Sequence, residues 1–354
     1  MKRTGISIVF PALLLAFAIC FCACGEKTVG PKAEYDLPRK VTVQDGYGGY
    51  TSYKLTYEGN ALRIGYIDGG SRLLRCDSDG RLIEETSYTP NGKEKSTTTY
   101  AYDKNGNLTE ERRGGTLREV RTYDERGNLL SWQSYTLDTR GECTYDENGN
   151  ELTQISYDAD GKIKSRSESV YDEQGNRTVW VYYDGNGKES ARNECTYDEN
   201  GRERTWIRYD GGTFSFCLEY VYDENGNQIQ TLAYEEDGTY RISETNAYDG
   251  HGNVIENIVY DPDGVPGVRY AYTYDERGNQ TEEAIFDPPD TFVERYSYTY
   301  DDYGYQTGFI IHYADGREKV DWQVEETVTA LASEVQAAFY RSCIDQYVLP
   351  IIVR

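Results

Sequence analysis

The stretch Tyr145–Asn150, with the sequence Tyr-Asp-Glu-Asn-Gly-Asn, decides the fold of this chain because it recurs at a nearly fixed interval. An identical copy stands at Tyr222–Asn227, and from Tyr145 onward the motif tyrosines occupy positions 145, 171, 197, 222, 248, 274 and 300. A constant period of this length indicates a repeat architecture. Near copies of the motif begin at Tyr102, Tyr123, Tyr171, Tyr197, Tyr248, Tyr274 and Tyr300.

Each repeat unit contains two turn signals of the form Asp-x-x-Gly. The opening turn lies inside the motif, as in Asp146 to Gly149, and the second turn follows about halfway through the unit, as in Asp158 to Gly161. Asp at the first place can accept hydrogen bonds from the turn backbone, and Gly at the fourth place suits the left-handed residue of a G1 bulge. The stretches between turns have ordinary strand lengths. We therefore predict an all-β fold, a long antiparallel meander over residues 47–320.

Alternation along the strands predicts an aromatic face. Counting back from a motif tyrosine by twos gives Tyr222, Tyr220 and Leu218 in one unit, with mostly polar residues between them. In the shorter strand, the residue before the second turn alternates with an aliphatic residue, and we expect both apolar sets to share one face. A bulged turn would pair Tyr157 with Ile163, Tyr234 with Tyr240, and Phe286 with Phe292. Because strands twist, we expect the sheet to be coiled or spirally rolled, with its tyrosine face turned inward.

The N-terminus has the plan of an export signal. Lys2 and Arg3 precede an uncharged apolar run, so residues 1–23 are predicted to be a signal peptide. The end of that run resembles the lipobox of bacterial lipoproteins, which implies that Cys24 is lipidated and anchors the chain to a membrane. An ordinary cleaved signal is the alternative. Residues 24–46, with Pro31 and Pro38, are interpreted as the lipidated N-terminus and a tether.

The tail, residues 321–354, departs from the repeat. Its apolar residues fall at steps of 4, 3, 4 and 4, which predicts one stripe of a short helix. A cap over the last repeat is favoured over a helix that binds a partner, because repeat arrays need their ends covered. The stripe consists of Val324, Val328, Leu331, Val335 and Phe339.

Charge and motif content restrict the function. The net charge of −24 would repel phosphate backbones, so nucleic acid is not expected as a partner. Only His251 and His312 are present, without a GxSxG, HExxH or P-loop spacing beside them, so we expect no enzyme. No metal or other cofactor is predicted. Calcium is the alternative, because stacked turns such as Asp158 to Asp160 and Asp261 to Asp263 could bring carboxylates together.

The recurring Tyr-Asp-x-x-Gly-Asn over residues 100–316, with weaker traces back to Tyr47, resembles the YD repeats of the RHS family, which occur in bacterial surface and secreted proteins and in related animal adhesion proteins. The resemblance implies a β-meander that coils into a shell or spiral. It also implies a function in surface attachment, carbohydrate binding or the enclosure of a toxin.

These observations lead to two functional hypotheses. The first is a non-enzymatic lipoprotein on the bacterial surface that binds an envelope glycan, another ligand or a surface protein, because rows of aromatic rings suit sugar rings. The second is a structural or toxin-associated scaffold, in which the tyrosines simply form the interior. The candidate ligand-binding residues are Tyr220, Tyr222, Tyr270, Tyr272, Tyr274, Tyr296 and Tyr298.

Overall fold

A computed structural model describes residues 33–44, 50–288, 290–302, 304–332 and 340, and these residues form one 24-stranded antiparallel sheet. The first twelve strands are β1 Ala33–Gln44, β2 Tyr50–Glu58, β3 Ala61–Gly65, β4 Ser71–Cys76, β5 Leu82–Tyr88, β6 Glu94–Tyr102, β7 Leu108–Arg113, β8 Thr116–Tyr123, β9 Leu129–Ser134, β10 Thr139–Tyr145, β11 Glu151–Tyr157 and β12 Ile163–Tyr171. The others are β13 Arg177–Asp184, β14 Glu189–Tyr197, β15 Glu203–Asp210, β16 Thr213–Tyr222, β17 Gln228–Tyr234, β18 Tyr240–Tyr248, β19 Val254–Tyr260, β20 Pro266–Tyr274, β21 Gln280–Asp287, β22 Thr291–Tyr300, β23 Gln306–Tyr313 and β24 Glu318–Ala332.

Both predicted turns of the repeat are present. In the opening turn, Gly149 N donates to Asp146 O at 3.2 Å, and Gly149 has a φ of 89°. In the second turn, Gly161 N donates to Asp158 O at 3.0 Å, with a φ of 77° at Gly161. Only glycine adopts this left-handed conformation without strain, which explains its fixed place in each unit. The prediction of an antiparallel meander is confirmed.

The sheet closes on itself. Strand β1 pairs with β2 on one side and with β24 on the other, for example Thr42 with Ser52 and with Gln323. Strands lie about 4.8 Å apart, so 24 of them make a ring at least about 115 Å around and at least about 37 Å across at the backbone, and strand tilt widens it further. Side chains fill the interior of small rings only, so this ring encloses a lumen. The rolled sheet that we expected is a closed one.

The aromatic set of the longer strands and the aliphatic set of the shorter strands lie on opposite faces of the sheet. The expectation that both sets share one face is therefore wrong. At the opening turn, Tyr222 pairs with Gln228 but Val221 pairs with Gln230, which is a one-residue bulge. Beyond it, Tyr220 faces Thr231, and Leu232 faces Glu219. A shift of one residue turns a strand over, so the bulge moves the aliphatic residues to the other side. The three predicted pairs, Tyr157 with Ile163, Tyr234 with Tyr240 and Phe286 with Phe292, are confirmed.

We name the two sides by their side chains. The tyrosine face carries the motif tyrosines and the residues that alternate with them, such as Tyr220. The arginine face carries stacks such as Arg140 over Tyr157 at 4.0 Å and Arg166 over Tyr183 at 4.5 Å. Buried polar residues such as Thr231 and Asn193 lie on the tyrosine face, where Trp206 Nε1 donates to Asn193 Oδ1 at 3.0 Å. Four of the six buried polar residues in the described part of the chain lie on this face, as does the buried cluster that contains Leu62 and Leu74. We therefore assign the tyrosine face as the enclosed one.

The densest packing lies beside the closure, on the tyrosine face. Leu62, Ile64 and Leu74 are each 0 % exposed, and Tyr340 covers them with 2 % of its own surface exposed. The Tyr340 ring meets Tyr57 edge to face at 4.9 Å, and its hydroxyl donates to the carbonyl of Gly59. Tyr340 therefore lies on the enclosed side of the first strands.

Two boundaries differ from the sequence-based prediction. Residues 33–44 of the expected tether form β1, because Val41 and Val43 complete the buried cluster. Residues 321–332 of the expected helix belong to β24, which pairs with β23 and β1. The β-branched run Thr327 to Thr329 favours a strand, and backbone pairing on both sides outweighs the helical spacing. Val335 and Phe339 lie outside the described residues, as do residues 1–32 with the signal peptide and Cys24.

None of the described residues belongs to a helix long and apolar enough to cross a membrane.

Candidate ligand-binding face

The motif tyrosines form a regular ladder of hydrogen bonds. Each hydroxyl donates to the backbone carbonyl of the first residue of the preceding strand, as Tyr274 does to Val254 O at 2.8 Å. The bond joins neighbouring opening turns, so these hydroxyls hold the array together. The same bond is made from Tyr102 to Leu82, Tyr123 to Leu108, Tyr145 to Leu129, Tyr171 to Glu151, Tyr197 to Arg177, Tyr222 to Glu203, Tyr248 to Gln228 and Tyr300 to Gln280.

The acid and amide of the motif bind each other. Asp146 Oδ1 accepts from the backbone amides of Asn148 and Asn150, and Asp146 Oδ2 accepts from Asn150 Nδ2 at 2.8 Å. The next turn stacks on this one, because a Cβ added at Gly175 would lie 3.9 Å from the Asn150 side chain. Asp146 caps its turn, as the sequence predicts. The side-chain hydrogen bond from Asn150 to Asp146, which explains the Asn at the end of the motif, was not predicted.

These turns make the fold sensitive to acid. Hydrogen bonds from the Asn150 side chain and backbone lower the pKa of Asp146. Hydrogen bonds within their own turns also lower the pKa of Asp103, Asp124, Asp172, Asp198, Asp223, Asp249 and Asp275. A pKa below the unfolded value of about 3.9 contributes stability that is present above that value and is lost as the pH falls through the folded pKa. We expect the urea midpoint to fall steeply between about pH 4 and pH 2. Equal midpoints at both pH values would contradict this role.

Five of the seven candidate tyrosines divide into two groups, and the other two, Tyr296 and Tyr298, donate to the carboxylates of Glu294 and Glu283. Tyr222 and Tyr274 belong to the ladder, so their hydroxyls are occupied. Tyr220, Tyr270 and Tyr272 lie between ladder positions, and none of the described residues accepts a hydrogen bond from them. Burial raises the pKa of all three phenols. The second group is therefore the one that a guest on the tyrosine face would meet.

Carboxylates lie among these rings. Glu283 stands in register between Tyr272 and Tyr296, and Tyr298 donates to Glu283 Oε2 at 3.4 Å. Tyr298 stacks on Phe309 with ring centroids 5.3 Å apart, so it is packed as well as polar. Burial raises the pKa of the Glu283 carboxyl, and burial also raises that of Glu203. The face combines aromatic planes with partly dehydrated acids.

A cluster of amides extends this surface toward Tyr270. Asn257 Nδ2 donates to Glu244 Oε1 at 2.6 Å and to Asn246 Oδ1 at 2.8 Å. Asn257 is also in direct register with Tyr270 on the neighbouring strand. Planar rings beside amide and carboxylate groups suit a ligand that carries both C–H faces and hydroxyls.

A pair of conservative substitutions separates the two groups of tyrosines. Tyr274→Phe should lower the free energy of unfolding by about 0.5–1.5 kcal/mol, because it removes one ladder bond. Tyr272→Phe, two residues earlier on the same face, should change it by less than about 0.5 kcal/mol. Urea titration of both variants measures the difference. Equal losses would mean that the ladder does not stabilise the array.

The carboxylates considered for calcium take part in their own turns, and the two histidines lie apart from this face. The oxygens that a calcium site would need already cap turns, as Asp158 Oδ1 does for the amides of Asp160 and Lys162. Within the part of the chain that the structure describes, no three His, Cys, Asp or Glu side chains are grouped to hold a metal ion. His251 lies in an exposed opening turn, and His312 lies on the arginine face.

The fold defines an all-β repeat protein. The family model described as RHS repeat matches residues 77–118, which confirms the predicted resemblance. The match falls in the early units, where the motif is least regular. A comparison with curated proteins finds no match.

Several solved structures are similar at low identity. The crystal structure of TcdB2-TccC3 is 12 % identical with a TM-score of 0.38, over 78 % of this chain and 18 % of that one. A Photorhabdus luminescens Tc holotoxin pore is 14 % identical with a TM-score of 0.27, over 82 % and 22 %. A porin-like protein from Bacteroides uniformis is 12 % identical with a TM-score of 0.26, over 83 % and 98 %. This chain spans about a fifth of the toxin chains, and these scores support no inference about what it does.

Proposed function

We propose that this chain is a non-enzymatic envelope scaffold whose closed sheet surrounds a guest on its tyrosine face. One observation carries the proposal: the sheet closes through β1 and β24. A ring of 24 strands is wider than the side chains of the strands alone can fill. If the tyrosines of this face served only as a hydrophobic core, their rings would be buried, whereas Tyr220 and Tyr272 remain partly exposed.

The chemistry of the enclosed face restricts the guest. Glu203, Glu244 and Glu283 lie among the tyrosines, and the chain as a whole has a net charge of −24. Such a surface repels nucleic acid, attracts cationic groups and does not repel neutral ones. The guest that suits it best is a polypeptide segment or a glycan.

Cysteine labelling tests the enclosure. In a background without the native cysteines, Tyr272→Cys on the tyrosine face is compared with Ile258→Cys on the arginine face of the neighbouring strand. A small maleimide should label both positions, while a maleimide attached to a large folded protein should label only Ile258→Cys. If the large reagent labelled both positions equally, the face would be open, and if the small one failed at Tyr272→Cys, it would be sealed. Either result would reject the enclosing scaffold.

Glycan binding is a second candidate function. It is supported by Tyr270 beside Asn257, whose side chain is bonded to Glu244 and Asn246. Soluble envelope glycans, tested on an array, should bind the intact chain and not the triple variant with Ala at Tyr270, Tyr272 and Tyr296. Tyr157→Ala, on the arginine face, is the matched control and should bind normally. If no glycan bound the intact chain, glycan binding would be rejected, and the scaffold without a small ligand would remain.

We also propose export and lipid anchoring, on the basis of the predicted signal at residues 1–23 and of Cys24. Cys24→Ala should release the protein from the membrane fraction. Retention of this variant in the membrane would contradict a lipid anchor at that residue.

A further inference from the structure

Three side chains on the arginine face form a hydrogen-bonded relay across the last strands. Ser297 of β22 and His312 of β23 are joined through Oγ and Nε2 at 2.9 Å. The other ring nitrogen, His312 Nδ1, lies 2.9 Å from Glu318 Oε1 of β24. The imidazole is mostly covered, with 18 % of its side chain exposed, whereas Glu318 is 65 % exposed.

The order of atoms in this relay assigns the protons. A carboxylate accepts hydrogen bonds, so the proton of the neutral imidazole stays on Nδ1 and is donated to Glu318. Nε2 then carries the lone pair, and it accepts the hydroxyl proton of Ser297. This is the arrangement in which a histidine acts as a general base toward a serine hydroxyl while a carboxylate holds the ring in place.

A cationic donor lies beside the serine. Arg295 is two residues before Ser297 on the same face, and it stands directly across from His312 in the β22–β23 register. Its Nη1 lies 3.4 Å from Glu282 Oε1, but its Nε is buried without a hydrogen-bond partner among the described residues. A buried donor without a partner is costly. The guanidinium also places positive charge on the face where an oxyanion would form beside Ser297, and such a charge stabilises the oxyanion.

We propose that Ser297 is an activated nucleophile that takes acyl groups from carboxylic esters reaching the arginine face. Ser297 Oγ attacks the ester carbonyl carbon, its proton passes to His312 Nε2, and Arg295 stabilises the oxyanion. The carbon–alkoxy bond then breaks, and the alkoxide leaves as an alcohol with the proton from His312. Water then attacks the acyl-serine carbonyl and gives a proton to His312 Nε2. As the carbon–Oγ bond breaks, that proton passes to Ser297 Oγ, which releases the carboxylic acid and restores the Ser297 hydroxyl and the neutral His312.

Esters fit this site better than amides do. The backbone amides around Ser297 belong to the β21–β22 and β22–β23 ladders, so no pair of free amides is available to hold an oxyanion. Arg295 alone stabilises an oxyanion less well than a pair of backbone amides would. The substrate must therefore have a good leaving group, and the alkoxide of an ester leaves more readily than the amine of an amide. This activity is independent of the enclosed face, and finding it would make the expectation of a non-enzymatic chain wrong.

Covalent labelling tests the proposal on the full chain. A fluorophosphonate probe, which reacts with activated serines, should form an adduct that mass spectrometry places on Ser297. His312→Gln should slow this labelling by about 10²- to 10⁴-fold, the usual contribution of a general base. Ser297→Ala should lose the adduct. His251→Gln, which changes the other histidine, is the matched control and should label at the original rate.

The carboxylate is a positioning residue and needs its own variants. Glu318→Gln should slow the labelling, Glu318→Asp should restore part of the rate, and both should keep the unfolding midpoint of the original chain. Two results would overturn the proposal: no adduct on Ser297 after prolonged exposure to the probe, or an adduct that forms equally fast in His312→Gln. In either case the three side chains serve only to join β22, β23 and β24.

Discussion

Replacing Tyr340 with Ala is expected to lower the free energy that protects strands β2–β4 by about 3–5 kcal/mol, the usual cost of removing a large buried aromatic ring. The ring is 2 % exposed and packs on Tyr57 and on the cluster that contains Leu62 and Ile64. Its loss would open these residues to the lumen. Amide hydrogen exchange measures the effect strand by strand.

Tyr340→Phe is the control for this prediction. It keeps the ring and removes only the hydroxyl bonded to the Gly59 carbonyl, so it should cost about 1 kcal/mol. Protection of β11–β14, across the ring, should be unchanged in both variants. If Tyr340→Ala exchanged like the original chain throughout, the C-terminal segment would not cover the first strands.

Gly141→Val should destabilise the middle of the array by at least about 1–3 kcal/mol, as overpacking does in a filled core. The Trp132 indole lies against this glycine, and a Cβ there would lie 2.5 Å from Trp132 Cε2 and Nε1. A tryptophan ring is not the flexible end of a chain, so the two strands must separate. Urea titration measures the loss.

A double variant shows whether the ring is the cause. Adding Trp132→Leu to Gly141→Val should recover stability relative to Gly141→Val alone, because contacting residues couple in a mutant cycle. Gly250→Ala, where a Cβ would meet nothing within 4 Å, should be close to neutral. A Gly141→Val chain as stable as Gly250→Ala would contradict the packing of Trp132 on β10.

Sequence alone predicted the strands and turns of this protein, because their determinants are local. An Asp and a Gly at the first and fourth places, as in Asp146 and Gly149, specify a bulged turn. The constant period of the motif repeats that turn along the chain. The faces could not be assigned in the same way. Each turn adds a bulge that reverses the side of the following strand, so Tyr220 and Leu232 separate despite their matching alternation.

Other features depend on distant strands. Closure joins β1 to β24, and neither strand carries the motif that marks the array. The tyrosine ladder uses backbone carbonyls, which leave no signal in side-chain patterns. The relay on the arginine face had one visible sign, His312 at the place that Tyr260 holds in its unit, but the serine beside it emerges only from the β22–β23 register.

The central claim is that the sheet is closed, and one disulfide tests it most directly. Thr42 of β1 and Gln323 of β24 are register partners although they belong to the first and the last strand, and Cα atoms of such partners lie within the range that a disulfide spans. In a background without the native cysteines, Thr42→Cys with Gln323→Cys should oxidise as readily as the adjacent-strand pair Ser156→Cys with Ser165→Cys, whose native hydroxyls are 2.6 Å apart. Quantitative formation of the seam disulfide is the predicted result. Free thiols at 42 and 323 under conditions that fully oxidise the control pair would show an open sheet.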